Sequence, residues 1–312
     1  MDSLEDLFQY EKALVFGIGG SGDIFGSIPT ARLLQQFDID VTLGGMAWEP
    51  VPYDTKPGPR SIDEVQNIER INDTMCLVSE YTQTADGLVF TESIVANQYE
   101  EEIVLIGMDD GIQGMIEDIE NACNKLDIDV IVGIDVGGDA IAHGNESGLR
   151  SPVTDAYGVA SLAEIGIPTC LGVFGYTSDG ELTIDEMEKS MARIASMDGL
   201  LGSWGLTQDT RDEIETLLEH VDTEASQLPI EAAKGDTGTR YIRGGEVKVD
   251  VKMPSTVTFY FEPSVIKEQS QLPSIVEDTE SIDRAVEMLK EAGFPIEFDT
   301  ERQRLDNQNR ND

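Results

Sequence analysis

The sequence predicts a Rossmann-like three-layer α/β/α fold, with a mostly parallel sheet and a smaller C-terminal α+β subdomain. Two apolar runs of strand length, residues 13–16 and 130–134, each stop abruptly at glycines. After the first run, apolar residues recur at helical spacing over residues 24–37, which indicates the first half of a βαβ unit. The second run is apolar throughout, which is typical of a strand buried on both faces of a parallel sheet.

Further elements follow in the first half of the chain. A strand over residues 39–43 ends at two glycines and leads into a proline-rich extended loop over 46–60. A capping box at residues 61–64 predicts a short helix to about residue 71. An amphipathic helix over 111–126 precedes the central strand. Between these helices lie β-like runs, of which two or three should join the sheet: 75–78, 87–90, 93–96 and 103–106.

The second half continues the alternation of strands and helices. Residues 199–205 are predicted to be a glycine-rich loop that carries Trp204 over the ligand edge of the sheet. We predict one continuous domain, residues 1–300, with a core over about 11–200, a subdomain over about 201–300 and a frayed polar tail at 301–312. The other predicted elements are helices over 152–163, 184–197 and 281–292, two helices that end near 221 and 234, strands over 167–174 and 257–261, and a hairpin about residues 244–245.

The charge balance excludes one class of partner. The chain has 61 Asp and Glu against 21 Lys and Arg, a net charge of −40, whereas nucleic-acid binding needs clustered Lys and Arg. The acidic residues are spread along the chain, and such a charge is tolerated where the Debye length falls to about 3 Å, near 1 M salt. We therefore predict a haloarchaeal-type protein of a salt-rich cytosol; an ordinary acidic protein is the alternative.

Cysteine spacing and hydropathy bear on the compartment. The chain has three cysteines, at 76, 123 and 170. Their odd number and wide spacing favour buried reduced thiols over disulfides or metal ligands. The chain opens without a charged-then-apolar leader, and its longest apolar runs have strand length. These features predict a soluble cytoplasmic protein that does not contact a membrane.

The first glycine-rich loop is a candidate ligand site. Glycine backbones let N–H groups approach an anion at a helix N-terminus. Compared with the Gly-x-Gly-x-x-Gly pattern of dinucleotide-binding loops, however, the third glycine here falls one place early, and a carboxylate stands where a phosphate would sit. A dinucleotide site, another small-molecule or metal-phosphate loop, and a structural tight turn all remain open. The candidate ligand-binding residues here are Gly17, Gly19, Gly20, Ser21, Gly22 and Asp23, with Trp48 on the loop after the next strand. On that same loop, Lys56 and Arg60 either grip a substrate anion or form a solvated pair.

A second loop follows the central strand and carries most of the groups with catalytic potential. Carboxylates and an imidazole in a glycine-rich loop suit a Mg²⁺ or Mn²⁺ centre or an acid–base pair. His143, one of only two histidines, is either catalytic or structural, and Arg150 either clamps an anion or bridges neighbouring acids. The candidates are Asp135 and Asp139 as metal ligands, Asp139, His143 and Glu146 as catalytic groups, and Gly137, Gly138, Arg150 and Ser151 as ligand-binding residues.

Several of these strings resemble a known family. The chain is similar to an archaeal family known as a domain of unknown function, through Gly-Ile-Gly-Gly-Ser-Gly-Asp (17–23), Trp-Glu (48–49), Pro-Gly-Pro-Arg (57–60), Gly-Ile-Asp-Val-Gly-Gly-Asp (133–139), Gly-x-Glu-x-Gly-Leu-x-Ser-Pro (144–152) and Tyr-Phe-Glu-Pro (260–263). It also resembles D-glutamate cyclase-like lyases in the order of its loops. The corresponding loop of those lyases reads Asp-Gly-Gly-Asn-Glu. Here Val136 separates Asp135 from Gly137, and Asp139 stands where that loop has its Asn.

Together these features predict an enzyme that acts on a small anionic metabolite, a carboxylate or a phosphate, at the carboxyl ends of the parallel strands. A lyase or hydrolase is favoured over a dehydrogenase, with Mg²⁺ or Mn²⁺ as the candidate cofactor. A small molecule is the expected partner, and assembly into a homo-oligomer stays open. The alternative is a non-catalytic sensor or assembly protein that binds a nucleotide or metabolite in the same crevice.

Overall fold

A computed structural model describes residues 1–51 and 53–311. The strands are β1 (Lys12–Gly17), β2 (Asp40–Met46), β3 (Val65–Gln66), β4 (Glu69–Arg70), β5 (Met75–Val78), β6 (Gln83–Thr84), β7 (Ile103–Ile106), β8 (Val130–Val136), β9 (Thr169–Phe174), β10 (Leu200–Gly205), β11 (Gly238–Ile242), β12 (Val247–Val251) and β13 (Val257–Phe261). The helices are α1 (Asp23–Gln35), α2 (Thr91–Tyr99), α3 (Gly111–Leu126), α4 (Pro152–Glu164), α5 (Ile184–Ala195), α6 (Gln208–Leu218), α7 (Glu224–Ala233), α8 (Pro263–Gln269), α9 (Gln271–Val276), α10 (Ile282–Glu291) and α11 (Glu297–Asn311).

Nine strands form one large sheet in the order β10-β13-β9-β8-β1-β2-β7-β5-β4. The five central strands, from β9 to β7, are parallel, and the two strands at each edge pair antiparallel. The central strands are the apolar runs of the sequence, and β8 is buried along its whole length. The predicted mostly parallel α/β sheet is confirmed.

Helices cover both faces of this sheet. On one face α3 and α4 pack on the strands, and α8, α9 and α10 pack against α4. On the other face α1 crosses β1, β2 and β8, and α2, α6 and α7 complete the layer. The three-layer arrangement buries both faces of the central strands, which explains their continuous apolar sequence.

The strand order creates a crevice between β1 and β8. From β1 the chain proceeds to β2 and β7 on one side, and after α3 it crosses to β8 on the other side of β1. In open α/β sheets, ligands bind at such a switch point, outside the carboxyl ends of the strands. The loops that follow β1 and β8 therefore lie on opposite sides of one crevice.

A glycine brings α1 close to β8. A Cβ atom at Gly26 would lie 2.4 Å from Cγ2 of Val136, closer than any side chain allows. The missing side chain lets the first turns of α1 rest against the end of β8. This contact places Asp23, the first residue of α1, beside Asp135 of β8.

Three local predictions were wrong. The capping box at 61–64 forms, but only one 3₁₀ turn, Ile62–Glu64, follows it before β3. The apolar run at 93–96 lies inside helix α2, because a run of four apolar residues cannot distinguish a strand from a buried helix face. Residues 199–205 are not a loop over the ligand edge; they form β10, whose burial alternates as it pairs with β13 at the edge of the sheet.

The last third of the chain completes the large sheet. It contributes β10 and β13, while β11 and β12 form the predicted hairpin apart from that sheet. Helix α11 continues through most of the tail predicted to fray; Asp312 lies outside the described residues. The cysteines are buried free thiols, as predicted. No helix in the described part of the chain combines the length and apolarity needed to cross a membrane.

Candidate functional site

A cavity of about 450 Å³ lies at the carboxyl ends of β1 and β8. Its walls come from the loops after β1, β2, β8 and β9, from the segment before α7, from the tip of the β11–β12 hairpin and from the first turns of α11. The cavity therefore occupies the switch point of the sheet.

Three carboxylates from three different elements meet in this cavity. They belong to Asp23 at the start of α1, Asp135 near the end of β8 and Asp155 in the first turn of α4, and we call them the first triad. One oxygen from each lies within 4.8 Å of the others. Oδ1 of Asp155 is buried and has no hydrogen-bond partner among residues 1–51 and 53–311. No Lys or Arg side chain in the described part of the chain forms an ion pair with these three carboxylates.

A second group of carboxylates lies on the loops after β8 and β9. Asp139, Asp179 and Glu181, the second triad, are all buried, and one oxygen from each again lies within 4.8 Å of the others. Nη2 of Arg243, at the hairpin tip, lies 3.0 Å from Oε1 of Glu181. The Ser151 hydroxyl donates to the same oxygen at 2.5 Å and approaches Oδ2 of Asp139 at 3.3 Å.

Burial and mutual repulsion make the charged form of these carboxylates unfavourable. Burial raises the pKa of Asp23 to about 8 and that of Asp179 to about 7. Burial, followed by the charges of neighbouring carboxylates, also raises the pKa of Asp135, Asp139 and Asp155 well above the usual range. Without added positive charge, these five carboxylates are stabilised by taking up protons.

The glycine loop after β1 presents a carboxylate to the cavity rather than a ring of free N–H groups. The N–H of Gly19 donates to Oδ2 of Asp23 at 2.8 Å, and the N–H of Ser21 donates to the carbonyl of Trp48 at 3.1 Å. Two donors that could have held a phosphate are thus used within the protein. Of the interpretations left open for this loop, the geometry favours a cation site over a phosphate cradle.

Arginine side chains provide the positive charge in the cavity walls. Arg150, Arg243 and Arg304 all line it. Arg304 pairs with Glu301, whereas no carboxylate in the described part of the chain lies within ion-pair distance of Arg150. The guanidinium of Arg150 is therefore available for an anionic ligand beside the carboxylates.

Helix α11 closes the cavity from the far end of the chain. The Glu297 carboxylate accepts the N–H of Val153 at 3.0 Å and the N–H of Thr154 at 2.9 Å, and so caps α4. Glu301 accepts the N–H of Val51 at 2.8 Å. Burial raises the pKa of Glu297 to about 7.

One family model, described as "Protein of unknown function (DUF1152)", matches residues 14–305. The chain belongs to the DUF1152 family. No curated protein matches the sequence. The residues matched by the DUF1152 model include both triads and Glu297, so the whole cavity lies inside the family domain.

In this DUF1152 protein, many of the residues predicted as a site from the sequence line one cavity. They are Gly19, Gly20, Ser21, Gly22, Asp23, Trp48, Asp135, Asp139, Arg150 and Ser151. Gly17 ends β1 beneath Asp23 and does not line the cavity. Gly137 and Gly138 lie behind the cavity wall, against Asp179 and Met187 respectively.

The two proposed proton carriers lie outside the cavity lining. Nδ1 of His143 is 2.5 Å from the carbonyl of Gln269, a contact that ties its loop to α8. The Glu146 carboxylate accepts backbone N–H groups of His143, Gly144 and Asn145. Both side chains therefore organise the loop after β8, and neither faces the triads.

Lys56 and Arg60 fasten the loop after β2. Lys56 pairs with Glu64, and the buried Arg60 forms a two-bond pair with Asp54 and further pairs with Glu64 and Asp86. These contacts occupy both cations, so neither is available to bind a substrate anion.

Several carboxylates of the cavity region were not identified from the sequence, among them Asp155, Asp179, Glu181 and Glu297. Asp179 and Glu181 lie on the loop after the central strand β9, just as Asp139 lies on the loop after β8. Because ligands bind at the carboxyl ends of parallel strands, the position of these two residues after a predicted strand could have identified them. Glu297 gives no local signal, because only the folded chain brings α11 to α4.

Proposed function

We propose that this protein is an enzyme that acts on a small anionic metabolite, with a divalent cation held by the first triad. The observation that carries the proposal is the meeting of Asp23, Asp135 and Asp155 in one cavity, with a buried Asp155 oxygen that has no partner. Mg²⁺ and Mn²⁺ prefer such oxygen ligands, and either ion would offset the repulsion that the triad otherwise relieves by protonation. The three ligands come from α1, β8 and α4, which are rigid elements of the core.

The substrate would be an anion because the cavity offers it both the proposed ion and a guanidinium. Arg150 forms no ion pair with any described residue and lines the same cavity, so a carboxylate or phosphate could contact both the cation and the guanidinium. The bound cation would polarise that anion or a water molecule. Glu297, whose pKa burial raises to about 7, is the candidate proton carrier in place of His143 and Glu146.

A lyase or hydrolase fits this site better than a dehydrogenase. The loop after β1 uses two of its N–H groups internally, which argues against a dinucleotide pyrophosphate at that helix terminus. The resemblance to D-glutamate cyclase-like lyases supports a carboxylate substrate. We also propose that the protein is archaeal and works in a salt-rich cytosol, which the −40 charge, spread along the chain, supports.

The cation site is tested with an isosteric variant. We would measure Mn²⁺ binding in molar KCl at neutral pH for the wild type, Asp155→Asn and Asp278→Asn, the last being an exposed control. We expect the wild type and Asp278→Asn to bind equally and Asp155→Asn to bind at least about tenfold more weakly, because a ligand oxygen and a charge are lost. Equal binding by all three proteins would contradict the proposal.

Catalysis is tested separately from binding. Small molecules retained by protein purified in high salt would be identified by mass spectrometry and incubated with the Mn²⁺-loaded protein. We expect turnover that Asp155→Asn loses. A ligand that is bound tightly but recovered unaltered would point to the non-catalytic sensor.

A further inference from the structure

We infer that the second triad, Asp139, Asp179 and Glu181, is a second divalent-cation site, for which Arg243 substitutes as an internal counter-ion while the ion is absent. The inference deepens the proposed function and rests on it, because the second ion would lie in the same cavity as the first.

The first observation is a buried oxygen without a partner. Asp179 is 4% exposed and lines the cavity, and its Oδ2 atom makes no hydrogen bond to the residues that the structure describes. A Cβ atom at Gly137 would lie only 2.3 Å from Cγ of Asp179, so this glycine is what allows the carboxylate to approach the end of β8. A buried carboxylate oxygen in this position is satisfied either by a proton or by a cation, and a cation at the second triad would supply that partner.

The second observation is the balance of charge. Three buried carboxylates face one guanidinium, which touches only Glu181. The Ser151 hydroxyl donates to Glu181 and approaches Asp139, but it carries no charge. Arg243 therefore leaves most of the negative charge uncompensated, and a divalent ion would neutralise more of it than the guanidinium does.

The third observation is the way in which Arg243 is held. It lies at the tip of the β11–β12 hairpin with φ at 53°, a left-handed conformation that is unfavourable for a non-glycine residue. Gly244 and Gly245 follow it, also at positive φ, and the hairpin lies outside the large sheet. A rotation of the Arg243 side chain would withdraw the guanidinium from Glu181 and leave the hairpin backbone in place. A cation at the second triad and Arg243 would thus compete for the same carboxylate.

The two triads would hold two ions side by side. Asp135 of the first triad and Asp139 of the second are separated by only four positions on the same segment, and both line the one cavity. Two cations in one site can clamp an oxyanion between them. Arg243, once released from Glu181, would remain at the cavity mouth as a second anion contact beside Arg150.

Counting Mn²⁺ sites tests the inference. Free Mn²⁺ would be followed by electron paramagnetic resonance during titration of the full chain in molar KCl. We expect two sites in the wild type, one in Asp179→Asn and one in Asp155→Asn. A single wild-type site that Asp155→Asn loses and Asp179→Asn retains would overturn the second site and leave the proposed function standing. A single wild-type site that Asp179→Asn loses and Asp155→Asn retains, or no Mn²⁺ site at all, would overturn the first site and with it this inference.

The competition with Arg243 has its own test, which does not depend on a ligand variant. We expect Arg243→Gln to bind the second Mn²⁺ roughly tenfold more tightly than the wild type, because the competing cation is gone. Arg304→Gln is the matched control, since Arg304 lines the same cavity but pairs with Glu301. An equal gain in both variants, or no gain in Arg243→Gln, would overturn the role assigned to Arg243.

Discussion

Replacing Arg60 by methionine should strongly destabilise the folded protein. Arg60 is 2% exposed, and its two hydrogen bonds to Asp54 are each 2.6 Å long. Asp54 is itself 1% exposed, so the substitution leaves a buried carboxylate without a partner. Breaking one side of a buried pair costs about 3–5 kcal/mol, and we expect the free energy of unfolding to fall by this amount.

The remaining partners of Arg60 give the control. The Asp86 side chain is 53% exposed, so Asp86→Asn should cost no more than about 1 kcal/mol. The double variant Asp54→Asn/Arg60→Met should lose less than Arg60→Met alone, since it leaves no buried charge. Urea unfolding in molar KCl at neutral pH measures all three. A loss below about 1 kcal/mol for Arg60→Met, or an equal loss for Asp86→Asn, would refute the reasoning.

Three further predictions concern titration, thiol reactivity and packing. Burial raises the pKa of Glu49 from 4.5 to about 7, so the folded state binds its proton more tightly than the unfolded chain, and stability falls as the pH rises through this window. In urea unfolding at pH values from 5 to 8, Glu49→Gln should reduce this loss of stability by up to about 3 kcal/mol, whereas the exposed control Glu268→Gln should leave it unchanged. The same dependence of stability on pH in both variants would contradict the prediction. Burial also raises the pKa of Cys76 to about 12, and all three cysteines are buried, so a thiol reagent at pH 8 should label them only after unfolding. Rapid labelling of the folded protein would contradict the burial of these thiols. Finally, Gly26→Ala should cost about 1–3 kcal/mol through its contact with Val136 and weaken Mn²⁺ binding. Gly205→Ala, whose Cβ meets no atom within 4 Å, is the control, and similar losses in both variants would argue against this packing.

The core elements could be predicted because their signals lie in consecutive residues. Helix α3 has the predicted bounds, 111–126, since its apolar stripe repeats over four turns. Helix α5 begins at residue 184, as predicted, where Thr183 accepts the N–H of Glu186. Strands β1 and β8 contain the apolar runs 13–16 and 130–134, as burial on both faces of a parallel sheet requires.

Short segments could not be predicted because their state depends on distant partners. The run at 93–96 is helical because α2 packs beside β5 and β7. Residues 199–205 become a strand because β13, some sixty positions later, supplies the hydrogen bonds. Local composition contains neither fact.

The sequence by itself determined that the loops after β1 and β8 share one edge of the sheet, because parallel strands expose their carboxyl ends together. It thereby placed Asp23, Asp135 and Asp139 near one another. It could not select the remaining carboxylates, because 61 of 312 residues are acidic and nearness in sequence carries little information. Only the tertiary structure decided which carboxylates are buried and face each other in the cavity. Burial beside other carboxylates is what distinguishes Asp155 and Asp179 from the many acidic residues on the surface.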